Sequence, residues 1–349
     1  MKVLLTGSTG YIGRRLKQEL LNDENIELKL LVRNKKSISS LNENAQVVEG
    51  DTFNKESLKE ALKDVEVAYY LIHSLSNENY KDLDKISAQN FLDVANECGV
   101  KRIIYLGGLG VKNENTSEHL LSRIETGEIL SSNKNVQTIW LRAGVIIGSG
   151  SASFEIIRNL TEKLPIMTTP KWVNTKAQPI AVTDVLSYLH KSLYLDVKEN
   201  LIVDIGSEQL SYKNMMLKTA KVLGLKRILI TLPFMSINLS SYWLNLFTPV
   251  PYAVAKALVE GLKSEVIIQN DHAKKYFPNI IPISYEDAVA NAIKEIEENQ
   301  VLSRWNDKSD DVWEKNSQNE ISKAIFIDRK EEDISNLNPS KVYQSFIGI

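Results

Sequence analysis

Three glycines near the amino terminus are spaced so that their backbone could hold a phosphate group. They lie in the run Thr6-Gly7-Ser8-Thr9-Gly10-Tyr11-Ile12-Gly13, between a short apolar segment and a helical pattern. Gly7 permits a tight turn, Gly10 lets the backbone approach a pyrophosphate, and Gly13 lets the helix pack close to the strand. Free N–H groups at the helix start would face the anion. The alternative is a glycine-rich turn without a ligand. The predicted dinucleotide contacts are Gly7, Thr9, Gly10, Tyr11, Ile12 and Gly13.

The residues after the second apolar segment indicate which dinucleotide would bind. NAD-binding proteins usually carry an Asp or Glu there for the ribose 2′-OH, whereas this chain reads Arg33-Asn34-Lys35-Lys36. Arg33 could bind a 2′-phosphate through two hydrogen bonds, and Arg14 and Arg15 could add positive charge. The sequence therefore predicts NADP(H) in preference to NAD(H), unless Arg33 is only a solvated surface base.

Two further turns are expected to border the same ligand. Gly50-Asp51-Thr52 follows the third apolar segment, where a carboxylate could accept a hydrogen bond from the adenine amino group; an ordinary turn residue is the alternative. Leu71-Ile72-His73-Ser74 follows the fourth segment and should border the nicotinamide ribose. These turns add four predicted cofactor contacts, namely Asp51, Thr52, Leu71 and His73.

A parallel sheet is needed to bring these turns to one edge. Residues 1–150 alternate short apolar segments with helical patterns, and Leu83, Ile86, Phe91, Val94 and Ala95 form the apolar face of one such helix. Alternation of this kind predicts right-handed crossovers and a sheet covered on both faces. We therefore expect an α/β fold with a Rossmann-type, doubly wound parallel sheet in residues 1–150, its fourth strand spanning Val67–Ile72.

The alternation weakens after about residue 150. A helix over Val182–Leu195, a strand over Leu201–Ile205 and mostly helical structure over 207–262 predict a smaller, mostly helical substrate lobe in residues 151–300. This lobe would interleave with the last strands and helices of the Rossmann domain. Residues 301–349 are polar and charged, and we expect them to begin a C-terminal domain or to form a tail.

An apolar segment, Ile228–Leu262, raises the question of a membrane span. Prolines and polar residues interrupt it before it reaches the 18 or so apolar residues that a span needs. We expect this segment to cover a lipophilic pocket or to form a buried helical pair.

Composition narrows the classes of function. The 349 residues carry 42 basic and 44 acidic side chains, a formal net charge of −2, which argues against a nucleic-acid partner. The single cysteine, Cys98, cannot form an internal disulfide and lies in an apolar helical pattern that predicts a buried thiol. His190 and His272 are isolated, so no metal site is predicted. Without a secretory leader pattern, a cytoplasmic protein is expected, as a monomer or a homodimer.

Together these residues resemble the short-chain dehydrogenase/reductase superfamily, and within it the atypical, NmrA-like branch related to nucleoside-sugar epimerases and isoflavone-type reductases. Beyond the glycine loop, the resemblance rests on Leu141-Arg142-Ala143-Gly144, on 178–185 and on Asp204-Ile205-Gly206, and covers about residues 1–300. A narrower similarity, to bacterial members, rests on 70–74, on 105–110 and on Ser303-Arg304-Trp305. It implies a C-terminal domain of unknown function, of which this chain would contain only the beginning.

The usual catalytic residues of the superfamily are absent. The resemblance implies a Ser after the fifth strand and a Tyr-x-x-x-Lys on the next helix, where the Tyr exchanges a proton and the Lys lowers its pKa and holds the nicotinamide ribose. Here the Ser position falls in Gly107-Gly108, and the Tyr and Lys positions best match His119 and Arg123. The resemblance thus makes His119 and Arg123 the candidate catalytic residues, with Arg123 also binding the ribose.

Three functions stay open at this point. His119 could be a general acid or base, since imidazole suits proton transfer near neutral pH, although the charge of Arg123 would favour the neutral ring. Alternatively, NADPH could reduce a small hydrophobic acceptor, such as a quinone, that takes its proton from solvent. Third, the resemblance to NmrA-like proteins implies a redox sensor or metabolite-binding regulator without turnover. We favour a reductase; an epimerase or dehydratase is disfavoured because the Tyr is absent.

Overall fold

The first half of the chain alternates strands and helices up to Ala143. The computed structural model describes residues 1–38, 45–73, 80–114, 116–232, 261 and 264–304. The chain divides into two units, residues 1–310 and 311–349, and every described residue belongs to the first. Ser74, residues 233–260 of the apolar segment, Leu262 and the segment from Trp305 to Ile349 lie outside the described residues, so the predictions made for them stay predictions.

The described strands and helices are as follows. In chain order the strands are β1 (Lys2–Thr6), β2 (Glu27–Val32), β3 (Ala45–Glu49), β4 (Val67–Tyr70), β5 (Arg102–Gly108), β6 (Gln137–Ala143), β7 (Ile146–Ile147), β8 (Ile166–Pro170), β9 (Lys176–Ala177), β10 (Ile180–Ala181), β11 (Leu201–Ile205), β12 (Leu210–Ser211) and β13 (Ile228–Leu232). The helices are α1 (Tyr11–Leu21), α2 (Lys55–Leu62), α3 (Tyr80–Glu97), α4 (Glu118–Leu130), α5 (Ala152–Lys163), α6 (Val182–Lys191), α7 (Tyr212–Val222), α8 (His272–Tyr276) and α9 (Tyr285–Glu297).

A seven-stranded parallel sheet confirms the predicted α/β, Rossmann-type fold. Its strand order is β11-β6-β5-β4-β1-β2-β3, and each neighbouring pair is parallel. The chain runs outward from β1 to β3 and then returns to place β4 on the other side of β1. Ligands of doubly wound sheets bind beyond the carboxyl ends of the strands at such a reversal. The glycine loop after β1 and the turn after β4 meet there.

Both faces of the sheet are buried, which explains why its strands are almost wholly apolar. On one face, Val3 and Leu5 of β1 pack with α1 and α6. On the other face, Leu4 of the same strand packs with α2, α3 and α4. Because successive side chains of a strand point to opposite faces, each strand contributes to two cores. The sheet is therefore doubly wound, as predicted.

A second, smaller hydrophobic cluster lies in the carboxyl half of the described chain. Helices α5, α7 and α9 surround Phe154, Met215 and Val289. Three two-stranded sheets accompany them: β7 with β10 and β8 with β13 are parallel, and β9 with β12 is antiparallel. This lobe corresponds to the predicted substrate lobe. Among the described residues, none of the helices is both long enough and apolar enough to span a membrane.

Several local predictions were wrong. β4 ends at Tyr70 rather than Ile72, α6 ends at Lys191 rather than Leu195, and Cys98 is half-buried. Residues Ile228–Leu232 form a strand that pairs with β8, not helix. Their β-branched composition suits a pleated sheet, and the pairing partner lies some sixty residues away, where a sequence pattern cannot reveal it.

The core face of helix α3 was predicted in part: Phe91, Val94 and Ala95 are buried as expected, whereas Ile86 is not. Ile86 is 51% exposed, whereas Asp84 is 3% exposed and lies on the buried face with Ser87, Ala88 and Phe91. The buried face is thus partly polar. A prediction based only on apolar residues places the buried face of such a helix slightly off its true position and misses the buried carboxylate.

A buried ion pair joins the two outermost strands on the β11 side of the sheet. Asp204 of β11 is opposite Arg142 of β6, and the guanidinium donates to both carboxylate oxygens, from Nε at 2.5 Å and from Nη2 at 3.0 Å. The backbone N–H of Gln269 donates to the same carboxylate at 2.7 Å. Asp204 therefore ties β6, β11 and the segment before α8 together.

Candidate active site

The glycine loop has the close backbone packing that its sequence predicts. Gly7 has φ +67°, and a Cβ there would lie 2.5 Å from the carbonyl oxygen of Leu71. The N–H of Gly10 donates to the carbonyl oxygen of Gly7 at 2.9 Å, closing the turn. A Cβ at Gly13 would collide with that same carbonyl oxygen. A side chain at Gly13 would therefore push α1 away from the loop, and one at Gly7 would push away the turn after β4.

The start of α1 offers N–H groups to an anion. Gly10 is the N-cap and provides no side-chain acceptor, and the first turn contains no acidic residue. Helix starts of this kind carry unsatisfied N–H donors and a partial positive charge. Ser8 adds a buried hydroxyl that has no hydrogen-bond partner among the described residues. The loop could therefore hold a pyrophosphate at the switch point of the sheet.

Positive charge at the end of β2 lies where the sequence predicts it, but not all the predicted cations are available. Arg33, Lys35 and Lys36 are exposed, and the Asn34 side chain accepts a hydrogen bond from the Lys36 N–H at 2.9 Å, which fixes the turn. Arg14, in contrast, is buried and donates from Nε to the carbonyl oxygen of Thr9. A 2′-phosphate could reach the first three side chains.

Arg15, which the sequence suggested could add positive charge near the loop, is 3% exposed and makes its hydrogen bonds elsewhere. Its Nη2 donates to Glu295 of α9 at 2.9 Å and to the Ser149 hydroxyl at 2.8 Å, and its Nε donates to Ser303 at 3.2 Å. The Ser303 hydroxyl in turn donates to the carbonyl oxygen of Tyr11 at 2.9 Å. This cluster, Arg15–Ser149–Glu295–Ser303, anchors α1 to the carboxyl-terminal part of the described chain.

The turn after β3 has one available side chain rather than two. Asp51 is half-buried; its Oδ1 accepts a hydrogen bond from the Phe53 N–H at 3.0 Å. Thr52 is buried, and its hydroxyl accepts a hydrogen bond from Ser87, which is itself bonded to the Tyr70 hydroxyl. Asp51 could still contact adenine, whereas the Thr52 side chain supports α3 against the sheet.

His73 was predicted to border the ribose, and the structure gives it two further contacts. Its Nδ1 lies 2.7 Å from Oδ2 of Asp84 in α3, and its Nε2 lies 3.0 Å from Nδ1 of His119 at the start of α4. The Ser122 hydroxyl donates to the same Asp84 oxygen at 3.0 Å. We call this series of hydrogen-bonded side chains, Asp84–His73–His119, the histidine chain. It joins the turn after β4 to two helices.

Two members of this arrangement were missed from the sequence. Asp84 and Ser122 belong to no motif. In α3 the polar residues that face the core are spaced like the apolar ones, so spacing alone does not reveal that they are buried. The available signal was the position of Asp84, which precedes Ser87, Ala88 and Phe91 at helical spacing on one face. A carboxylate in such a stripe is buried, and a buried carboxylate needs donors.

Arg123 lies beside the end of β5, as its predicted role requires. Its Nη2 donates to the carbonyl oxygen of Leu106 at 2.7 Å, and its own carbonyl oxygen accepts from the Tyr105 hydroxyl at 2.9 Å. The Arg123 Nε is buried and has no hydrogen-bond partner among the described residues. A Cβ built at Gly108 would lie 3.6 Å from this nitrogen. Arg123 thus retains a donor near the position of the missing Ser.

The space that a Ser side chain would occupy at position 108 is filled by Leu120. A Cβ built at Gly108 would lie 2.6 Å from Leu120 Cδ1, and one built at Gly110 would lie 2.5 Å from Leu120 Cδ2. The two methyl groups therefore replace a hydroxyl. This side of the site is apolar, and it lacks the hydrogen-bond donor that the superfamily places there.

Both histidines of the site are neutral at pH 7. Burial, the neighbouring His73 ring and the charge of Arg123, in that order, lower the pKa of His119 to about 3. Burial also lowers the pKa of His73, against the opposing effect of its hydrogen bond to Asp84. The expectation that Arg123 favours neutral imidazole is confirmed, with burial as the larger cause. Among the described residues, no group of three or more His, Cys, Asp or Glu side chains could hold a metal ion.

Comparison with known proteins confirms the predicted cofactor domain. Residues 7–143 match the family model described as NAD(P)H-binding. The auxiliary protein GraX of Staphylococcus aureus (strain NCTC 8325 / PS 47) is 31% identical over 122 residues, which are 32% of this chain. That match spans only 38% of the relative's own length.

Solved structures share the fold over most of the chain. The triphenylmethane reductase of Citrobacter sp. has a TM-score of 0.68 at 21% identity, over 84% of this chain and 100% of that chain. The UDP-glucuronic acid 4-epimerase of Bacillus cereus, solved in complex with NAD, has a TM-score of 0.63 at 16% identity, over 87% of this chain and 99% of that chain. At these identities the likeness shows the fold.

Proposed function

Since the chain carries an NAD(P)-binding Rossmann-type domain, we propose that it is an NADP(H)-dependent oxidoreductase of a small hydrophobic acceptor, such as a quinone. His119 exchanges the proton of the reaction. The observation that carries this proposal is the hydrogen bond between His119 Nδ1 and His73 Nε2, which holds an imidazole where the superfamily has its catalytic Tyr. A regulator that only binds the cofactor has no need of an oriented proton-exchanging group.

The cofactor contacts follow from the geometry of the strand ends. The backbone of Gly7, Thr9, Gly10, Tyr11, Ile12 and Gly13 binds the pyrophosphate. Arg33 binds the 2′-phosphate, with Lys35 and Lys36 beside it, and Asp51 contacts the adenine. Leu71, His73 and Arg123 border the nicotinamide ribose. When bound, NADPH supplies the hydride of the reduction.

His119 acts as a neutral imidazole. Its pKa of about 3 leaves it uncharged throughout the physiological range, so it exchanges a proton at Nε2 while Nδ1 stays bonded to His73. Arg123, one helical turn away, uses its unpartnered Nε to bind the ribose or the acceptor. The role that Tyr and Lys share in the superfamily is thus divided differently here.

The acceptor is apolar at the side where Leu120 replaces the usual hydroxyl. A simple ketone would find no Ser to polarise its carbonyl oxygen there. A quinone needs less help of this kind, because its reduced ring delocalises the negative charge. The similarity in fold to the Citrobacter triphenylmethane reductase, an enzyme named for aromatic dyes, supports an aromatic acceptor.

We also propose that the protein is cytoplasmic and is a monomer or a homodimer.

Oxidation of NADPH with a panel of quinones tests this proposal. We expect turnover by the wild-type protein and a fall in kcat of about a hundredfold or more in His119→Ala, since a positioned general acid contributes at least about 10². His190→Ala is the matched control. His190 also pairs with a carboxylate, Asp23 at 2.9 Å, but it lies on α6, at the other end of the sheet. The activity of the His190→Ala variant should equal that of the wild type.

Two results would contradict the proposal in different ways. Turnover that survives His119→Ala would mean that the acceptor takes its proton from solvent. NADPH binding without turnover on any acceptor would favour the second candidate function, a cofactor-dependent regulator. That candidate is supported by the absent Tyr and Lys and by the staphylococcal relative, which is named an auxiliary protein.

A further inference from the structure

An ionised Asp84 would give the hydrogen bonds of the histidine chain a single direction. Asp84 is buried, and its Oδ2 lies within 3.0 Å of both the Ser122 hydroxyl and Nδ1 of His73. A carboxylate that is ionised can only accept hydrogen bonds. The two neighbouring groups therefore donate to it, and in the neutral His73 ring the proton is on Nδ1.

This assignment determines the state of the second ring. A neutral His73 that carries its proton on Nδ1 has a lone pair on Nε2. Nδ1 of His119, 3.0 Å away, must then be the donor. A neutral His119 with its proton on Nδ1 has its lone pair on Nε2. The resting site thus presents a proton acceptor at the position of the superfamily's Tyr.

We infer that Asp84 and His73 form a proton relay that loads and unloads Nε2 of His119. The inference rests on the proposed function, whose proton-exchanging atom it explains. When a substrate hydroxyl gives its proton to His119 Nε2, the His119 Nδ1 proton moves to His73 Nε2, and the His73 Nδ1 proton moves to Asp84 Oδ2. One proton enters, each ring gives one and receives one, and Asp84 ends protonated. Reduction of a carbonyl reverses every transfer and starts from the loaded chain, in which Asp84 is protonated. Because the resting chain lacks this proton, one proton from water must load Asp84 before each reduction.

Charge explains why the relay is needed. The resting chain carries one negative charge, on Asp84, and the loaded chain carries none. Without the relay, the loaded state would contain an imidazolium beside Arg123 in a half-buried site, which both burial and the guanidinium disfavour. Burial, the neighbouring His73 ring and the charge of Arg123 lower the pKa of His119 to about 3 and so disfavour that cation. Passing the proton to Asp84 avoids it.

The relay also specifies the substrate class. Because Nε2 of His119 accepts a hydrogen bond in the resting state, the reduced compound must present an O–H group at the reacting atom, and the oxidised compound a carbonyl oxygen. A hydroquinone and quinone pair meets this requirement. An acceptor reduced at carbon without a hydroxyl, as in an alkene, does not.

Nitrogen-15 NMR of the imidazole rings tests the relay without cofactor or acceptor. The chain has only four histidines, so His→Gln variants assign each signal. At pH 7 we expect both His73 and His119 to be neutral with the proton on Nδ1, whereas neutral imidazole in water favours the proton on Nε2. Asp84→Leu, which keeps the branched shape of the side chain and removes the acceptor, should move the proton of both rings to Nε2.

A control and a second variant keep the test decisive. Asp93→Leu makes the same change on the same helix, at a carboxylate that pairs with Lys55 on the surface, and should leave both rings unchanged. His73→Phe should release the proton of His119 to Nε2 while Asp84 is intact. In NADPH oxidation, Asp84→Leu should lower kcat about tenfold or more with an unchanged KM for NADPH, and Asp93→Leu should match the wild type.

The outcomes separate the relay from the proposed function. A wild-type His119 that carries its proton on Nε2, or that is charged at pH 7, overturns the relay, as do ring signals that Asp84→Leu leaves unchanged. The wild-type spectrum tests the proton positions of both rings even if the Asp84→Leu variant does not fold. Absence of turnover in the wild type, with both rings protonated on Nδ1, overturns the proposed reductase and not the hydrogen-bond order of the chain.

Discussion

At the scale of single residues, an imidazole and a phenol need different neighbours to exchange a proton. Tyrosine has a pKa near 10, so a phenol needs a cation beside it. An imidazole titrates near neutral pH and needs a fixed tautomer instead. In the relay that we infer, Asp84 and His73 supply that tautomer to His119, which would leave Arg123 available for binding. On that inference, the exchange of Tyr for His and of Lys for Arg is a consistent pair of changes.

Arg33 provides the prediction at this scale. NADPH should raise the Tm of the wild-type protein more than NADH at equal concentration, because the stabilisation follows the affinity of the folded state. Arg33→Ala should remove most of that difference, since a charge-assisted pair with a phosphate is worth about 1.5–3 kcal/mol. Thermal shift assays with both cofactors measure it.

Lys134→Ala is the control, because Lys134 is an exposed base outside the cofactor site. Equal shifts by NADPH and NADH in the wild type would refute the assignment of Arg33. The glycine loop would still account for binding, since its contacts with the pyrophosphate do not involve the 2′-phosphate.

At the scale of elements, the alternation of apolar segments and helical patterns was sufficient to predict the parallel sheet, because the inner strands are buried on both faces and contain few polar residues. It failed where polar residues face the core. Asp84 and Ser87 of α3 lie among its buried side chains, and Ile86 does not. It also failed for β13, whose partner is distant in sequence. The three-dimensional structure was needed to find both the polar core face of α3 and the pairing of β13. The histidine chain includes Asp84, which lies on that face of α3.

Asp204 provides the prediction for the sheet. Asp204→Ala should lower the free energy of unfolding by about 3 kcal/mol, because it leaves the half-buried Arg142 guanidinium without its carboxylate. Chemical denaturation measures the loss. Cofactor affinity of the folded protein should be unchanged, since the pair lies on the β6–β11 side of the sheet, two strands from the glycine loop.

Glu199→Ala is the comparison for this variant, because Glu199 is an exposed carboxylate two residues before β11. It should cost less than about 0.5 kcal/mol. Equal losses in the two variants would mean that the ion pair contributes nothing to the cohesion of the sheet.

At the scale of the whole molecule, the cofactor loop is joined to residues almost three hundred positions away. Arg15, two residues after Gly13, contacts Ser149, Glu295 and Ser303. The sequence indicated only that 303–305 resembles a motif of bacterial relatives, and its position next to α1 could not be predicted, because long-range contacts leave no local pattern. Binding at the loop and packing of α9 are therefore mechanically linked.

Glu295→Ala tests this link. The change leaves a buried Arg15 cation without its carboxylate and should lower the free energy of unfolding by about 3 kcal/mol. Because Arg15 lies only two residues after Gly13 of the loop, the affinity for NADPH should fall as well, by severalfold in calorimetry. Glu297→Ala, an exposed change on the same helix, should alter neither quantity. An unchanged NADPH affinity in Glu295→Ala would show that the anchor serves stability alone.

The methyl groups of Leu120 also limit how this site can change during evolution. A Gly108→Ser replacement would bring its Cβ to 2.6 Å from Leu120 Cδ1, so the superfamily's hydroxyl cannot be regained in one step without displacing the leucine. That atom is the end of a flexible side chain, so a lineage that converts between the two chemistries needs Leu120 either to move or to become smaller. Protein engineers who wish to install ketone reduction here face the same requirement.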